Sequence, residues 1–114
     1  MQRPIAAVAC ALAAVLLACA GAVAATPAKV AGNPKLGKAL FKAHGCGSCH
    51  NLAAANVFDS SGAGPDLDRT RKSYAQIVTQ ITNGGKGMTP YKAVLAPALI
   101  QDLAAFVYSS AHAG

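Results

Sequence analysis

Two cysteines and a histidine stand in one five-residue run, Cys46-Gly47-Ser48-Cys49-His50. On a single helical turn, residues three apart face the same way. Two thiols so placed can each add across one vinyl group of the same porphyrin. His50 follows one turn on from Cys46, so its ring can reach an iron at the porphyrin centre. This C-x-x-C-H order is the attachment sequence of a c-type haem. Gly47 and Ser48 are small and let the backbone pass close to the porphyrin edge. Two other chemistries use a C-x-x-C pair. Zinc wants four ligands, and no second cysteine pair follows. A thioredoxin-like disulfide wants a βαβ frame, and no convincing strand pattern is present.

An iron with one histidine beneath it has a second face to fill. Met88 is the one methionine beyond Met1, and it lies in the glycine-rich run Asn83-Gly84-Gly85-Lys86-Gly87-Met88-Thr89-Pro90. Pro90 biases Thr89 towards an extended backbone. A strap of that kind can lay a thioether on the open face of the iron. Thioether sulfur is soft and favours Fe(II), so it raises the reduction potential. The ordinary use of a lone methionine is to fill a core gap. His44 lies two residues before Cys46, on the proximal side, and His112 lies two residues from the last one. Asp59, Asp66, Asp68 and Asp102 are scattered, and no Ser-His-Asp arrangement is visible.

Three helices are expected to position these groups. Asn33-Pro34 is a helix start, an N-cap residue followed by Pro at N1. Leu36, Leu40 and Ala43 recur at helical spacing after it, Gly37 and Phe41 share a neighbouring face, and Gly45 ends the helix. Residues 51–63 are small and polar and read as a loop. Ser73 caps a second helix whose Tyr74, Ile77, Val78 and Ile81 form one stripe, ending at Asn83-Gly84. Pro97 opens a third, with Leu99, Leu103, Phe106 and Val107 as its buried stripe. Ala96 offers that helix no side-chain cap.

The N-terminal segment points to export. Arg3 precedes an apolar run from Ile5 to Ala20, and Ala22-Val23-Ala24 is a small-x-small cleavage pattern. Residues 1–24 are therefore expected to be a secretory signal, 25–32 a flexible mature N-terminus and 33–114 one domain. Two further readings exist. Leu16-Leu17-Ala18-Cys19 approximates a lipoprotein box that would lipidate Cys19. Residues 5–25 could also remain as an anchor, since about 20 apolar residues cross a bilayer. Each reading puts the remainder outside the cytoplasm, in the periplasm or at the extracytoplasmic membrane face. The remaining domain is short of large core side chains: of the 114 residues 27 are alanine, three are Phe and none is Trp. A domain this small needs a staple or a cofactor. Its charge beyond the leader is nine Lys and Arg against four Asp, or +5. The basic residues are spread out without interleaved aromatics, which argues against a nucleic-acid partner.

Taken together these features resemble the class I cytochromes c, and within them the short bacterial or photosynthetic soluble carriers. The resemblance runs from about Asn33 to Ser110. It rests on Gly37 and Phe41 in the first helix, Cys46–His50, Gly64-Pro65-Asp66-Leu67, the run around Met88, and Leu103 and Phe106 in the last helix. It implies an all-α fold of three main helices and loops wrapped around one covalently bound haem c, tethered through Cys46 and Cys49. It implies axial ligation by His50 and Met88. The Pro65 carbonyl would accept from His50 Nδ1, and Leu67 would pack on the haem. The first and last helices would cross at Gly37. Thr89 is a departure, since in many relatives Pro directly follows the methionine. The implied activity is single-electron transfer between redox partner proteins, not enzymatic turnover. The alternative is a haem subunit, or a haem enzyme or gas-binding protein with a labile or open sixth position. Lys86, Lys92, Lys38 and Lys42 would lie near the haem edge and suit an acidic docking surface on the partner. An uncleaved or lipidated N-terminus would add a membrane tether.

Overall fold

The structure is a computed structural model and describes residues 30–113. The expected signal segment lies outside the described residues, as does the 25–29 part of the expected linker. The described chain forms three α-helices, α1 (Pro34–Ala43), α2 (Tyr74–Asn83) and α3 (Pro97–Ala111). Short 3₁₀ turns at 46–48, 53–55, 67–69 and 91–93 punctuate the connections. Among the described residues β-pairing is limited to two isolated bridges, Leu52 with Val57 and Gly85 with Met88.

Each helix starts where its capping chemistry allows. The Asn33 side chain accepts from the Lys35 and Leu36 backbone amides, at 3.0 and 3.4 Å, and Pro34 needs no partner at N1. Helix α2 has a complete capping box: Gln76 N–H donates to Ser73 Oγ at 3.2 Å, and Ser73 N–H donates to Gln76 Oε1 at 2.9 Å. Ala96 supplies no side-chain cap to α3, and Pro97 at N1 removes one amide that would need a partner. Gly45, at φ +65°, turns the chain sharply out of α1 into the cysteine motif.

Helix α1 packs chiefly on α3, and α2 packs on α3 as well. The α1–α3 crossing is close because Gly37 has no side chain. A Cβ there would lie 2.7 Å from both the Asp102 carbonyl carbon and Phe106 Cβ. Phe41 then meets Phe106 edge to face, with centroids 5.7 Å apart. Asp102 adds a polar tie, since its Oδ1 accepts from Asn33 N–H at 2.7 Å.

The buried stripes differ from the sequence expectation in detail. On α1 the face shared by Gly37 and Phe41 is buried, as the expected helix crossing at Gly37 requires, while Leu36 is 43% exposed and Ala43 faces solvent. Contact with a second helix needs the narrow face, and the glycine face is the narrow one. On α3 Ile100 is buried in the place expected for Leu99, which is half-buried, and Ala104 and Ala105 are buried beside it. Covering by both α1 and α2 buries more of α3 than one stripe. Within 51–63 Leu52 is fully buried, tied to Val57 by a bridge, so this loop carries a core anchor.

Gly37→Ala is expected to lower the unfolding free energy by about 1–3 kcal/mol, since overpacking at a backbone contact outweighs the gain of about 1 kcal/mol in helix propensity. Denaturant unfolding of the loaded protein measures it. An unchanged or higher midpoint would show that the helices cross elsewhere.

Candidate functional site

One cavity of about 880 Å³ dominates the described residues. That is near the upper end of the ~300–1,000 Å³ range common to ligand and cofactor sites. Its apolar walls come from Phe41 of α1, Ile77 and Ile81 of α2, and Leu103 and Val107 of α3. The residues expected from sequence meet in it: Cys46, Cys49, His50, Pro65, Leu67 and Met88 all line this cavity.

The cysteine motif is held in shape by backbone bonds. Cys46–Ser48 form a 3₁₀ turn, and His50 N–H donates to the Cys46 carbonyl at 3.1 Å. Both cysteines are free thiols. Burial pushes the Cys46 thiol pKa above its usual value, opposed by hydrogen bonds from the backbone and from Tyr91. The following loop is stitched back onto the motif. Ser61, Gly64 and Leu67 amides donate to the Ser48, Cys49 and Asn51 carbonyls, each at 3.0 Å.

That stitching delivers the Pro65 carbonyl to His50, whose Nδ1 stands 2.7 Å from it. A carbonyl only accepts, so Nδ1 carries the hydrogen in this pair and the Nε2 lone pair is left for a metal. Gly64 permits the approach: a Cβ there would fall 2.6 Å from His50 Nδ1. No side chain but hydrogen fits between the loop and the imidazole.

The Met88 segment differs from the extended strap expected. Gly85 and Met88 exchange backbone hydrogen bonds of 2.9 and 3.1 Å around Lys86-Gly87. Lys86 and Gly87 both have positive φ, +53° and +89°, as a tight two-residue reversal requires. Only beyond Met88 does the chain extend, into Pro90 at ψ 121°. The Gln80 side chain closes the arrangement. Its Nε2 donates to the Gly84 carbonyl at 3.1 Å and lies 3.7 Å from Met88 Sδ.

Gln80 and Tyr91 are cavity residues that the sequence reading missed. Gln80 had a signal, since it sits three residues after Ile77 and one before Ile81, on the apolar face of α2. Tyr91 had none beyond following Met88 by three. Of the lysines, Lys72 and Lys86 line the cavity, and both are exposed. Lys38, Lys42 and Lys92 do not line it. Lys92 borders a separate crevice of about 120 Å³ with Leu95 and Ile100. His44 lines the cavity beside Tyr91, whereas His112 stacks on Tyr108 outside it.

These residues fit a covalently bound haem: two free thiols and an imidazole with its Nε2 lone pair free share one large apolar cavity with a thioether. The comparisons with known proteins agree. A family model described as cytochrome c oxidase, cbb3-type, subunit III matches residues 32–107. The chain is 40% identical over 81 residues to a cytochrome c6 of Synechocystis sp., which covers 68% of this chain and 66% of that protein, just under two thirds. It is 32% identical over 95 residues to a cytochrome c6 of Rippkaea orientalis, covering 81% of this chain and 84% of that protein. No solved structure matches the chain.

A chain this short whose apolar walls enclose so large a cavity has too little core of its own. The haem-free Cys46→Ala/Cys49→Ala chain is expected to be largely unfolded, with weak helical circular dichroism. A cooperative thermal melt of that variant would contradict this.

Proposed function

The chain belongs to the class I c-type cytochromes, and on that footing we propose that it is an extracytoplasmic single-electron carrier with one covalent haem c held by His50 and Met88. The observation that carries this reading is the convergence of both thiols, His50 and Met88 on one cavity. Bound there, the haem supplies a one-electron Fe(III)/Fe(II) couple. Cys46 and Cys49 would hold it by two thioethers. His50 offers Nε2, with its ring orientation fixed by Pro65, and the hydrogen bond at Nδ1 raises its basicity as a ligand. Met88 offers Sδ from the Gly85–Met88 turn. Leu67, Ile77, Ile81, Leu103 and Val107 exclude water and keep the surroundings apolar.

Carrier rather than enzyme follows from the same residues. With two protein ligands no coordination position is left for substrate, and none of the four aspartates lines the cavity. Lys72 and Lys86 put positive charge at its exposed rim, which suits a redox partner presenting an acidic surface. The leader read in residues 1–24 supports a periplasmic or other extracytoplasmic location, with Cys19 or an uncleaved leader as the route to a membrane tether. No helix among the described residues is long and apolar enough to cross a membrane. A second reading draws on the matching family model, whose description names an oxidase subunit: a fixed haem subunit of a larger assembly.

The ferric, haem-loaded protein is expected to show the charge-transfer band of methionine bound to Fe(III). Met88→Ala is expected to abolish that band, give a high-spin spectrum and lower the reduction potential by more than ~100 mV, within the ~0.8 V that axial ligation spans. A high-spin wild type would replace the carrier with the open-site reading, and peroxide turnover and CO and NO binding would then be assayed. Gel filtration of a detergent extract from the native host separates shuttle from subunit: the carrier elutes near its own mass, the subunit with its assembly.

A further inference from the structure

Helix α1 carries a second face that the haem site does not use. Phe41 of this helix lines the cavity, and Gly37 meets α3. At about 100° per residue, Ala39 and Ala43 stand roughly 160° around the helix from Phe41. Both are exposed, as is Leu36 on the same outer side. Leu36 is one of three large apolar side chains exposed among the described residues. Lys35, Lys38 and Lys42 run along one edge of this stripe. None of the three lines the cavity, and none is in an ion pair among the described residues. No Asp or Glu precedes Asp59 in the sequence, so the side chains of α1 carry positive charge alone.

We propose that this outer face of α1 docks on an anionic phospholipid bilayer, with Leu36 entering the headgroup region and Lys35, Lys38 and Lys42 on the phosphates. Charge complementarity points the lysines at an anionic surface. The exposed leucine beside them suits a surface with an apolar layer beneath its charge. An acidic redox partner is the poorer fit, because electrons leave through the cavity and this face points away from it. The chain outside the described residues supports the same occupant. Thirteen residues, 21–33, separate the apolar run Ile5–Ala20 from α1. They reach no further than about 50 Å. An anchored or lipidated N-terminus would therefore keep α1 beside a bilayer, and one anchor plus a basic patch is a pairing that makes lipid attachment stable. So docked, the protein leaves its cavity open to a redox partner. The proposal goes beyond the electron-carrier reading and does not depend on which ligand fills the sixth position.

The test sediments vesicles with the mature, haem-loaded protein at low ionic strength and reads haem absorbance left in the supernatant. The probes are vesicles of phosphatidylglycerol and phosphatidylcholine in equal parts, and of phosphatidylcholine alone. Wild type is expected to bind the first and not the second, and to be released by salt. Each lysine near an anionic surface strengthens binding about fivefold. Lys35→Gln/Lys38→Gln/Lys42→Gln is therefore expected to cut the partition constant about a hundredfold. Leu36→Ser is expected to cut it about threefold through lost apolar contact. Lys72→Gln/Lys86→Gln removes charge at the cavity rim and is expected to cut it by no more than about fivefold. Unfolding midpoints are expected to match wild type, because none of the replaced side chains is buried. A wild type that ignores the anionic vesicles overturns the proposal. So does a rim variant that loses as much as the α1 variant, since the membrane would then sit at the cavity. An unchanged Leu36→Ser variant overturns the lipid assignment and leaves a basic face that any polyanion fits. If the triple variant yields no holoprotein, Lys35→Gln/Lys42→Gln replaces two exposed side chains and is expected to lose about 25-fold; no loss there overturns the proposal as well.

Discussion

The fold depends on one close approach, the backbone of α3 at Asp102 against the Cα of Gly37. It fixes the distance between the first and last helices, and with it the height of the cavity between them. Phe41, one turn past Gly37, can then pack on Phe106 and present its other side to the cavity. Leu103 and Val107 reach the same cavity from α3. Gly45 ends α1 beyond the crossing and releases the chain so that Cys46 follows at the cavity wall. A helix pair held a side chain's width further apart would carry the cysteines away from the wall that receives their cofactor.

Around that frame, the site is assembled from segments that do not touch in sequence. The cysteine motif follows α1, the Pro65 carbonyl arrives on a stitched loop, and Met88 follows α2 on a tight reversal. Each arrives through backbone hydrogen bonds rather than through salt bridges. Among the described residues the single ion pair, Arg69 with Asp66 at 3.6 Å, is exposed. Exposed pairs of that kind contribute little. The apolar walls and the hydrogen-bonded loops therefore carry the precision of the site.

Much of this was legible because it is local. Asn33, Ser73 and Pro97 marked helix starts, and Gly45 and Gly84 marked helix ends, since caps are decided by neighbours a few residues away. The C-x-x-C-H run was legible for the same reason. The parts that were not legible depend on distant partners. On α3, Ile100 rather than its neighbour Leu99 is buried, because α1 and α2 both cover that helix. Leu52 sits among small polar residues and is buried by tertiary packing alone. The Gly85–Met88 reversal was read as extended because Lys86 gives no hint of its positive φ. Tyr91 owes its place to residues more than forty positions earlier.

The run from Gly84 to Gly87 has a consequence for disorder in the unfolded chain. All four residues take positive φ, a region glycine visits freely and lysine rarely. Unfolded, the three glycines sample more backbone states than any other residues would, so ordering them costs more entropy per residue. A Cβ at Gly84 would lie 2.7 Å from Pro90 N, whereas at Gly85 and Gly87 it would meet nothing. Space therefore excludes a side chain at only the first of these, and backbone conformation alone disfavours one at the other two. Non-glycine residues that tolerate the left-handed region, asparagine above all, would suit Lys86 better than lysine does. Asparagine at that position would lower the backbone cost at a residue that itself stands on the exposed rim of the cavity.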